Sequence, residues 1–240
     1  DKFLQEYDLA IAGGGITGAA LAYEAASRGL AVVLLEKADF GGAASAATPK
    51  LIDGGMCSLK NLELARVREA LRERKVWENI TPNLVYPMPF LAPAYQTATQ
   101  STGNFAPRLP LFDLLAWDRT KTWDKSKRLP KHKALGRKKV LAMEPFLRKE
   151  GLTGGQLYYD CQNIFPERAA LAFVRSAYKK NAAIANYARV DAIHKRDKNG
   201  LLRLEISDLL QGNTHTLRAR QVVNATGAWA GQVLQDAQGQ

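Results

Sequence analysis

Apolar and polar positions along this chain follow two periods. Tyr7–Ala12 is a short apolar run before a glycine cluster, the pattern of a strand buried on both faces. Ala19–Arg28 is Ala-rich and helix-forming, and Gly29 stops it; Ala31–Leu35 is a second apolar run. Leu62–Trp77 has apolar residues at Leu62, Leu64, Ala65, Val67, Ala70, Leu71 and Val76, which predicts a helix. Its Arg, Lys and Glu positions read as a solvated face. Thr81–Ala94 carries Pro82, Pro87, Pro89 and Pro93, which excludes a regular helix and leaves short extended pieces. Gln96–Pro107 reads as loop, Leu109–Trp117 as a helical piece, and Val140–Leu147 as a short helix broken near Pro145. Gly151–Asp160 is a glycine turn feeding a strand, and Pro166–Lys180 is a helix with proline in its first turn. Asn186–Arg196, Leu201–Leu209 and Asn213–Leu217 alternate as strands around tight turns at 198–200 and 211–213, an antiparallel meander. The pattern closes on Val222-Val223-Asn224-Ala225-Thr226-Gly227, another buried strand meeting a glycine.

Between the first two strands lies Gly13-Gly14-Gly15-Ile16-Thr17-Gly18, which fits G-x-G-x-x-G. Strand, glycines, helix and strand in register make a βαβ unit with a defined chemistry. Gly13 permits the tight turn, Gly15 lets a pyrophosphate approach the backbone, and Gly18 lets the helix pack on the sheet. The positive end of the helix then faces the phosphates. Glu36, 18 residues after Gly18, ends the second strand, where a carboxylate accepts from ribose hydroxyls and repels a 2′-phosphate. A dinucleotide site follows. The small-residue stretch Gly41–Pro49 comes directly after and reads as a cofactor loop.

Bulk properties narrow the class. The chain has 240 residues, 46% of them apolar, enough for one large or two small domains. No apolar run approaches the ~18 residues that a membrane span needs. The polar start Asp1–Glu6 reads as neither signal nor transit sequence. Cys57 and Cys161 are far apart and form no metal-ligand spacing, so the expectation is two reduced thiols, no metal and a cytoplasmic setting. A net charge of +11 favours anionic partners. The excess concentrates in Lys121, Lys125, Lys127, Arg128, Lys131, Lys133, Arg137, Lys138 and Lys139, against the single acid Asp124. This segment is either a solvated surface or a face for an anionic membrane, peripheral on its inner side. No nucleic-acid-reading motif accompanies it.

Taken in order, these residues resemble the FAD-dependent glycerol-3-phosphate dehydrogenases, within the D-amino-acid-oxidase-like flavoproteins. The resemblance rests on Tyr7–Lys37, Lys50-Leu51-Ile52-x-Gly54-Gly55, Val67–Arg74, Pro87-x-Pro89-Phe90-Leu91, Tyr158-Tyr159-Asp160 and Val222–Trp229. It implies an α/β fold: a Rossmann-like FAD-binding domain (1–80 and 150–240) with an antiparallel β-meander, and part of a substrate-binding domain inserted at 81–149. It implies FAD held at the pyrophosphate by Gly13, Gly15, Ile16, Thr17 and Gly18, and at the ribose by Glu36, with Lys37 also in the cofactor-binding set. Ala44, Ser45, Lys50, Leu51 and Ile52 would run beside the ribityl chain and flavin, Val190 would meet the adenine, and Ala225, Thr226, Gly227 and Trp229 would close over the cofactor.

Members of that family oxidise sn-glycerol 3-phosphate to dihydroxyacetone phosphate, passing hydride to flavin N5 and electrons on to a quinone or similar acceptor. They extend well past the Ala225–Gly227 segment. Asp53 and Lys50 are the candidate catalytic residues here. Asp53 stands where the family has histidine, Cys57 and Ser58 where it has arginine and tyrosine, and Ala46 and Ala47 where the loop usually holds an arginine. Cys57 cannot make the two-pronged contact that arginine makes with phosphate. Three function classes stay open: a glycerol-3-phosphate dehydrogenase, an FAD enzyme for another hydroxy acid or an amino acid, and a non-catalytic FAD-binding module.

Overall fold

The computed structural model describes residues 6–96 and 107–232, so the loop expected at Gln96–Pro107 lies almost wholly outside the described residues. The chain divides into two compact units: unit 1 holds residues 1–49 and 165–240, and unit 2 holds 50–164.

Unit 1 is built on a six-stranded sheet. Its strands are β1 (Glu6–Ala12), β2 (Val32–Leu35), β7 (Ala183–Ala185), β8 (Ala188–Ile193), β9 (Leu202–Asp208) and β10 (Thr214–Asn224), in the order β7-β2-β1-β10-β9-β8. β1, β2 and β7 are parallel, and β8–β9–β10 form the expected antiparallel meander. Helices α1 (Ile16–Ser27) and α6 (Pro166–Lys179) pack on one face. Ala19, Ala22, Ala25 and Ala26 of α1 meet Val174 and Ala177 of α6 over Ile11, Val32 and Leu34. The small side chains let these backbones approach closely. Ala10, Val33 and Leu35 are buried instead with Leu204, Ile206, Leu217 and Ala219 of the meander. The alternation along β1 and β2 thus feeds two cores.

β10 joins segments that the sequence pattern separates. Residues 214–219 pair antiparallel with β9, and 218–224 pair parallel with β1, in one continuous strand. Polar Arg218, Arg220 and Gln221 interrupt the apolar alternation, yet the backbones of Arg218 and Gln221 still pair with β1. Strand β7 is also new. Three residues carry too little pattern to announce a strand, and pairing with β2 makes it one.

Unit 2 contains a smaller sheet, β3 (Leu51–Ile52), β6 (Leu152–Asn163) and β4 (Val85–Tyr95) in that order, with β5 (Lys133–Gly136) also paired to β6. All pairings are antiparallel. Residues 50–80 and 150–164, expected with the dinucleotide-binding segments, pack with 81–149 because β6 is the central strand of this sheet. β4 is a single eleven-residue strand rather than short pieces. Pro87, Pro89 and Pro93 share one parity along it, and β4 is an edge strand, so the missing donors fit the side that faces no neighbour.

Helices α2 (Met56–Lys60), α3 (Leu64–Ile80) and α4 (Leu109–Leu115) share a core of Met56, Leu59, Val67, Leu71, Leu109 and Phe112; α5 (Arg137–Met143) follows β5. The α3 face is not wholly solvated as expected. Its buried stripe runs Val67, Leu71, Arg74, Glu78, so two charges lie inside, while Leu62 and Leu64 are exposed. Asp118, also buried, takes both prongs of Arg68 at 2.7 and 2.9 Å and the Lys75 ammonium at 2.5 Å, which hold its carboxyl well below the usual range. Among the basic residues of 121–139, Lys127 turns inward and donates to the Val85 carbonyl at 2.9 Å; burial pulls its ammonium pKa down.

The tightest point in unit 1 is Gly18. A Cβ there would lie 1.9 Å from the Gly13 carbonyl oxygen. Gly18→Ala should therefore cost about 3 kcal/mol or more, read as a lower midpoint in thermal unfolding. Gly231→Ala, with nothing within 4 Å of the added carbon, should stay within about 0.5 kcal/mol of the parent.

Candidate functional site

The strand–glycine–helix junction of unit 1 is assembled from five segments. Gly13 leaves β1 with φ +109° and donates to Leu35 O at 2.8 Å. A Cβ at Gly13 would lie 2.5 Å from the Ala225 carbonyl oxygen, so the turn and the end of β10 touch backbone to backbone. Ala225 N in turn donates to Ala12 O at 2.8 Å. Gly15 is the extended residue before α1, and Ile16, Thr17 and Gly18 form its first turn. The orphan N–H groups and the positive end of this twelve-residue helix emerge there, with no acidic side chain in the first turn.

Glu36, at the end of β2, accepts from Gly14 N at 2.6 Å and from Ala38 N at 2.8 Å. Two backbone donors hold the carboxylate beside the glycine turn, and a carboxylate's four lone-pair sites leave room for further donors. Ala44 and Ser45 lie in a single 3-10 turn, Ala43–Ser45, and Ser45 Oγ accepts from Ile16 N at 2.9 Å. The small-residue stretch is therefore folded onto the helix N-terminus. Val190 lies on β8, two residues beyond Ala188, whose N–H donates to Glu36 O at 2.8 Å.

Thr226 and Gly227 follow β10, and Asn224 organises them. Asn224 Oδ1 accepts from Thr226 N at 3.2 Å and Thr226 Oγ1 at 2.6 Å, and its Nδ2 donates to Ala230 O at 2.9 Å. Gly227, at φ +61°, opens the 3-10 turn Gly227–Trp229. The Lys37 ammonium sits 4.1 Å from the Trp229 ring centroid, a cation–π contact. Asn224 is absent from the expected cofactor set, although a polar residue ending an apolar strand is the available signal.

The structure thus gathers Gly13, Gly15, Ile16, Gly18, Glu36, Ser45 and Ala225 at one end of the parallel strands. The residues fit a dinucleotide. Gly13 and Gly18 lie where a Cβ would strike backbone, Gly15 leaves its side open up to Ser45 Oγ, and a helix N-terminus is presented beside a fixed carboxylate.

The candidate catalytic residues lie in unit 2. Lys50 has φ +59°, and its carbonyl accepts from Asn163 N at 2.8 Å; Leu51 and Ile52 form β3. Asp53 Oδ1 accepts from Gly55 N at 3.0 Å and Met56 N at 3.4 Å, closing the turn into α2. Under that turn lie Arg74, Tyr158 and Asp160, which carry part of the family resemblance but are assigned no role by it, together with Glu78 and Cys161. Asp160 Oδ1 accepts from Gly54 N at 2.8 Å and pairs with Arg74 at 2.6 Å. Burial pushes the Asp160 carboxyl up to about 6, against the pull of Arg74. Tyr158, stacked on Phe90 with centroids 5.3 Å apart, has its phenol raised by burial and then by Asp160, Asp53 and Cys57. Beside them the Cys161 thiol donates to Glu78 Oε1 at 2.8 Å; burial raises both groups. Cys57 is exposed. Among the described residues no cluster of His, Cys, Asp and Glu suits a metal ion, and no helix is long and apolar enough to cross a membrane.

A parallel sheet with a glycine-rich strand-to-helix turn, helices on one face and a meander on the other defines a dinucleotide-binding α/β protein. The sequence pattern of the DAO family, described as FAD dependent oxidoreductase, matches residues 8–240, and the chain belongs to that family. It is similar to a glycerol-3-phosphate dehydrogenase of Synechocystis sp., 35% identical over 229 residues, covering 95% of this chain and 40% of that protein. It is also similar to an alpha-glycerophosphate oxidase of Streptococcus pyogenes, 33% identical over 233 residues, covering 96% and 37%. The crystal structure of the glycerol-3-phosphate dehydrogenase from Bacillus halodurans complexed with FAD superposes with a TM-score of 0.68 at 28% identity, over 96% of this chain and 36% of that one. The chain spans about two fifths of the length of the curated relatives it matches.

The buried acids give stability a definite pH dependence. The Asp160 carboxyl is raised in the folded state, from 3.8 to about 6, so the folded chain binds more protons than the unfolded one in that window. Stability should therefore fall as pH rises from about 4 to 6. Glu78, also raised, adds the same sign. Asp160→Asn should flatten this slope in chemical-denaturation midpoints measured across the window.

Proposed function

We propose that this chain is the FAD-holding part of an oxidoreductase that converts sn-glycerol 3-phosphate to dihydroxyacetone phosphate. The observation that carries the reading is the junction in which the Gly13–Gly18 turn, Glu36, Ser45 and Ala225 converge on the N-terminus of α1. Gly13, Gly15, Ile16, Thr17 and Gly18 are assigned to the pyrophosphate, which the glycines let approach the positive end of the helix, and Glu36 takes the ribose hydroxyls and excludes a 2′-phosphate. Ala44, Ser45, Lys50, Leu51 and Ile52 are assigned to the ribityl and flavin portions, and Val190 to the adenine. Ala225, Thr226, Gly227, Trp229 and Lys37 complete the cofactor set. FAD supplies the hydride acceptor when bound. Asp53 acts as the base for the C2 hydroxyl proton, with Lys50 the neighbouring catalytic cation. Electrons leave to a quinone or similar acceptor.

A second reading keeps FAD and changes the substrate to a hydroxy acid or an amino acid. It is favoured by Asp53 and Cys57, since the turn offers a carboxylate and a thiol where a phosphate ester calls for cations.

Under anaerobic conditions, adding glycerol 3-phosphate to FAD-loaded protein should bleach the flavin band near about 450 nm. An unchanged spectrum, with bleaching by a hydroxy acid or amino acid instead, would transfer the assignment to the second reading. Glu36→Ala should weaken FAD binding by roughly tenfold or more in a fluorescence titration, because a charged acceptor is lost.

The basic segment suits an anionic membrane surface. Lys131, Lys133, Arg137, Lys138 and Lys139 are exposed, as are Trp117 and Trp123. Neutralising those five cations should cut sedimentation with anionic vesicles by at least about tenfold, at ~1 kcal/mol for each basic group near the surface. Raised salt should mimic the effect.

A further inference from the structure

Unit 2 buries a pair of charges that the proposed reaction does not use. Asp160 of β6 is 5% exposed and Arg74 of α3 is 3% exposed. For stability alone, an apolar pair of similar volume would serve as well or better. The position of the pair is the informative feature. Asp160 Oδ1 receives Arg74 Nη1 at 2.6 Å and the Gly54 backbone N–H at 2.8 Å. Arg74 also fills the space that a side chain at 54 would occupy, since a Cβ there would lie 2.5 Å from Nη1. Gly54 directly follows Asp53. The next two N–H groups, of Gly55 and Met56, are taken by Asp53 Oδ1 at 3.0 and 3.4 Å. Three consecutive backbone donors therefore end on two carboxylates, and only the Asp160 bond reaches the turn from outside it.

We propose that Asp160, held ionised by Arg74, is a positioning residue that fixes the Asp53–Met56 turn and with it the orientation of the Asp53 carboxylate. The inference rests on reading Asp53 as the base. The groups facing Asp160 are Arg74 from α3, Asp53 from the turn, and Tyr158 and Cys161 from its own strand, with Glu78 bonded to Cys161. Arg74 alone among these favours the ionised carboxylate. Burial and the negative neighbours oppose it, so Asp160 titrates near about 6 instead of at the ordinary carboxylate value. Above that pH the ionised oxygen grips Gly54 N–H and Arg74. Below it the charge is lost and both bonds weaken. Asp160 touches no reacting atom and acts through Gly54.

Amide hydrogen exchange on the whole chain tests this directly. After correction for intrinsic exchange, local opening of the peptide spanning 53–60, which frees Gly54 N–H while Asp160 stays buried on β6, should rise about tenfold in the parent as pH falls from about 7.5 to 5, the loss of one charge-assisted bond; global unfolding, which hydrates Asp160, keeps the opposite sign. Asp160→Asn keeps the acceptor for Gly54 N–H but cannot titrate, so its exchange should show no such step. Arg74→Lys retains a charge with a poorer contact, so the step should move to higher pH. Peptides of β1 and α1 should be unaffected in every variant. Where FAD-loaded protein is reduced by glycerol 3-phosphate, the acidic limb of kcat near about 6 should vanish in Asp160→Asn while KM changes little. A step of the same size and position in Asp160→Asn would overturn the proposal, as would its absence from the parent. If the parent shows the step but no substrate reduces its flavin, the positioning role stands and the functional reading alone falls.

Discussion

At the end of β1 three pieces of backbone meet with no room for a side chain. The Gly13 turn rests against Ala225, and Gly18, one turn into α1, rests against the Gly13 carbonyl. Any Cβ at either glycine would push the helix off the sheet or β10 away from β1. Much of unit 1 follows from keeping that contact. It sets where α1 begins and aims the helix's free N–H groups and positive end into the open. It also brings the end of β10 beside the turn, where Asn224 can tie the next residues into a compact loop. Glu36 and Ser45 add polar groups to the same place, one gripping Gly14 N and the other Ile16 N. The chemistry of anion binding here is a by-product of close packing. Donors that the helix cannot satisfy internally are left at a point that the glycines keep accessible.

Unit 2 solves a different problem. Its sheet has fewer strands than that of unit 1 and is edged by a proline-bearing strand, and its interior contains Arg74, Glu78, Asp160 and the Lys127 ammonium. Each buried charge has a named partner: Asp160 for Arg74, the Val85 carbonyl for Lys127, and the Cys161 thiol for Glu78. Such pairs contribute little net stability once desolvation is counted, but losing one member leaves the other uncompensated. The arrangement therefore specifies geometry more than it strengthens the fold. What it specifies is the path of the chain from β3 into α2, where Asp53 lies.

The same contrast explains which features were legible in the residues. Tyr7–Glu36 reads correctly as strand, turn, helix and strand because each local signal agrees: a two-faced apolar run, glycines at fixed spacing, alanines, then a second run. The meander is readable for the same reason, each strand being bounded by a glycine turn. β4 was underestimated because prolines speak against a strand unless an unpaired edge is available, and pairing alone decides that. β7 has only three residues and exists through β2. The buried face of α3 was misread at Arg74 and Glu78 because charge predicts exposure on average. Their spacing from Val67 and Leu71 was the clue that they share the apolar stripe.

The sequence by itself therefore determined the dinucleotide-binding unit and the family. Glycine spacing and short-range periodicity act within some thirty residues, where backbone sterics leave few alternatives. Tertiary structure alone decided the rest. Asp160 and Gly54 are 106 residues apart, and Asp160 and Arg74 are 86 apart. No local rule relates positions at that distance. They meet because α3 packs on the sheet in which β6 is central, and burial then turns an ordinary carboxylate into one that titrates near about 6. That long-range contact, rather than any motif, places the turn that bears Asp53.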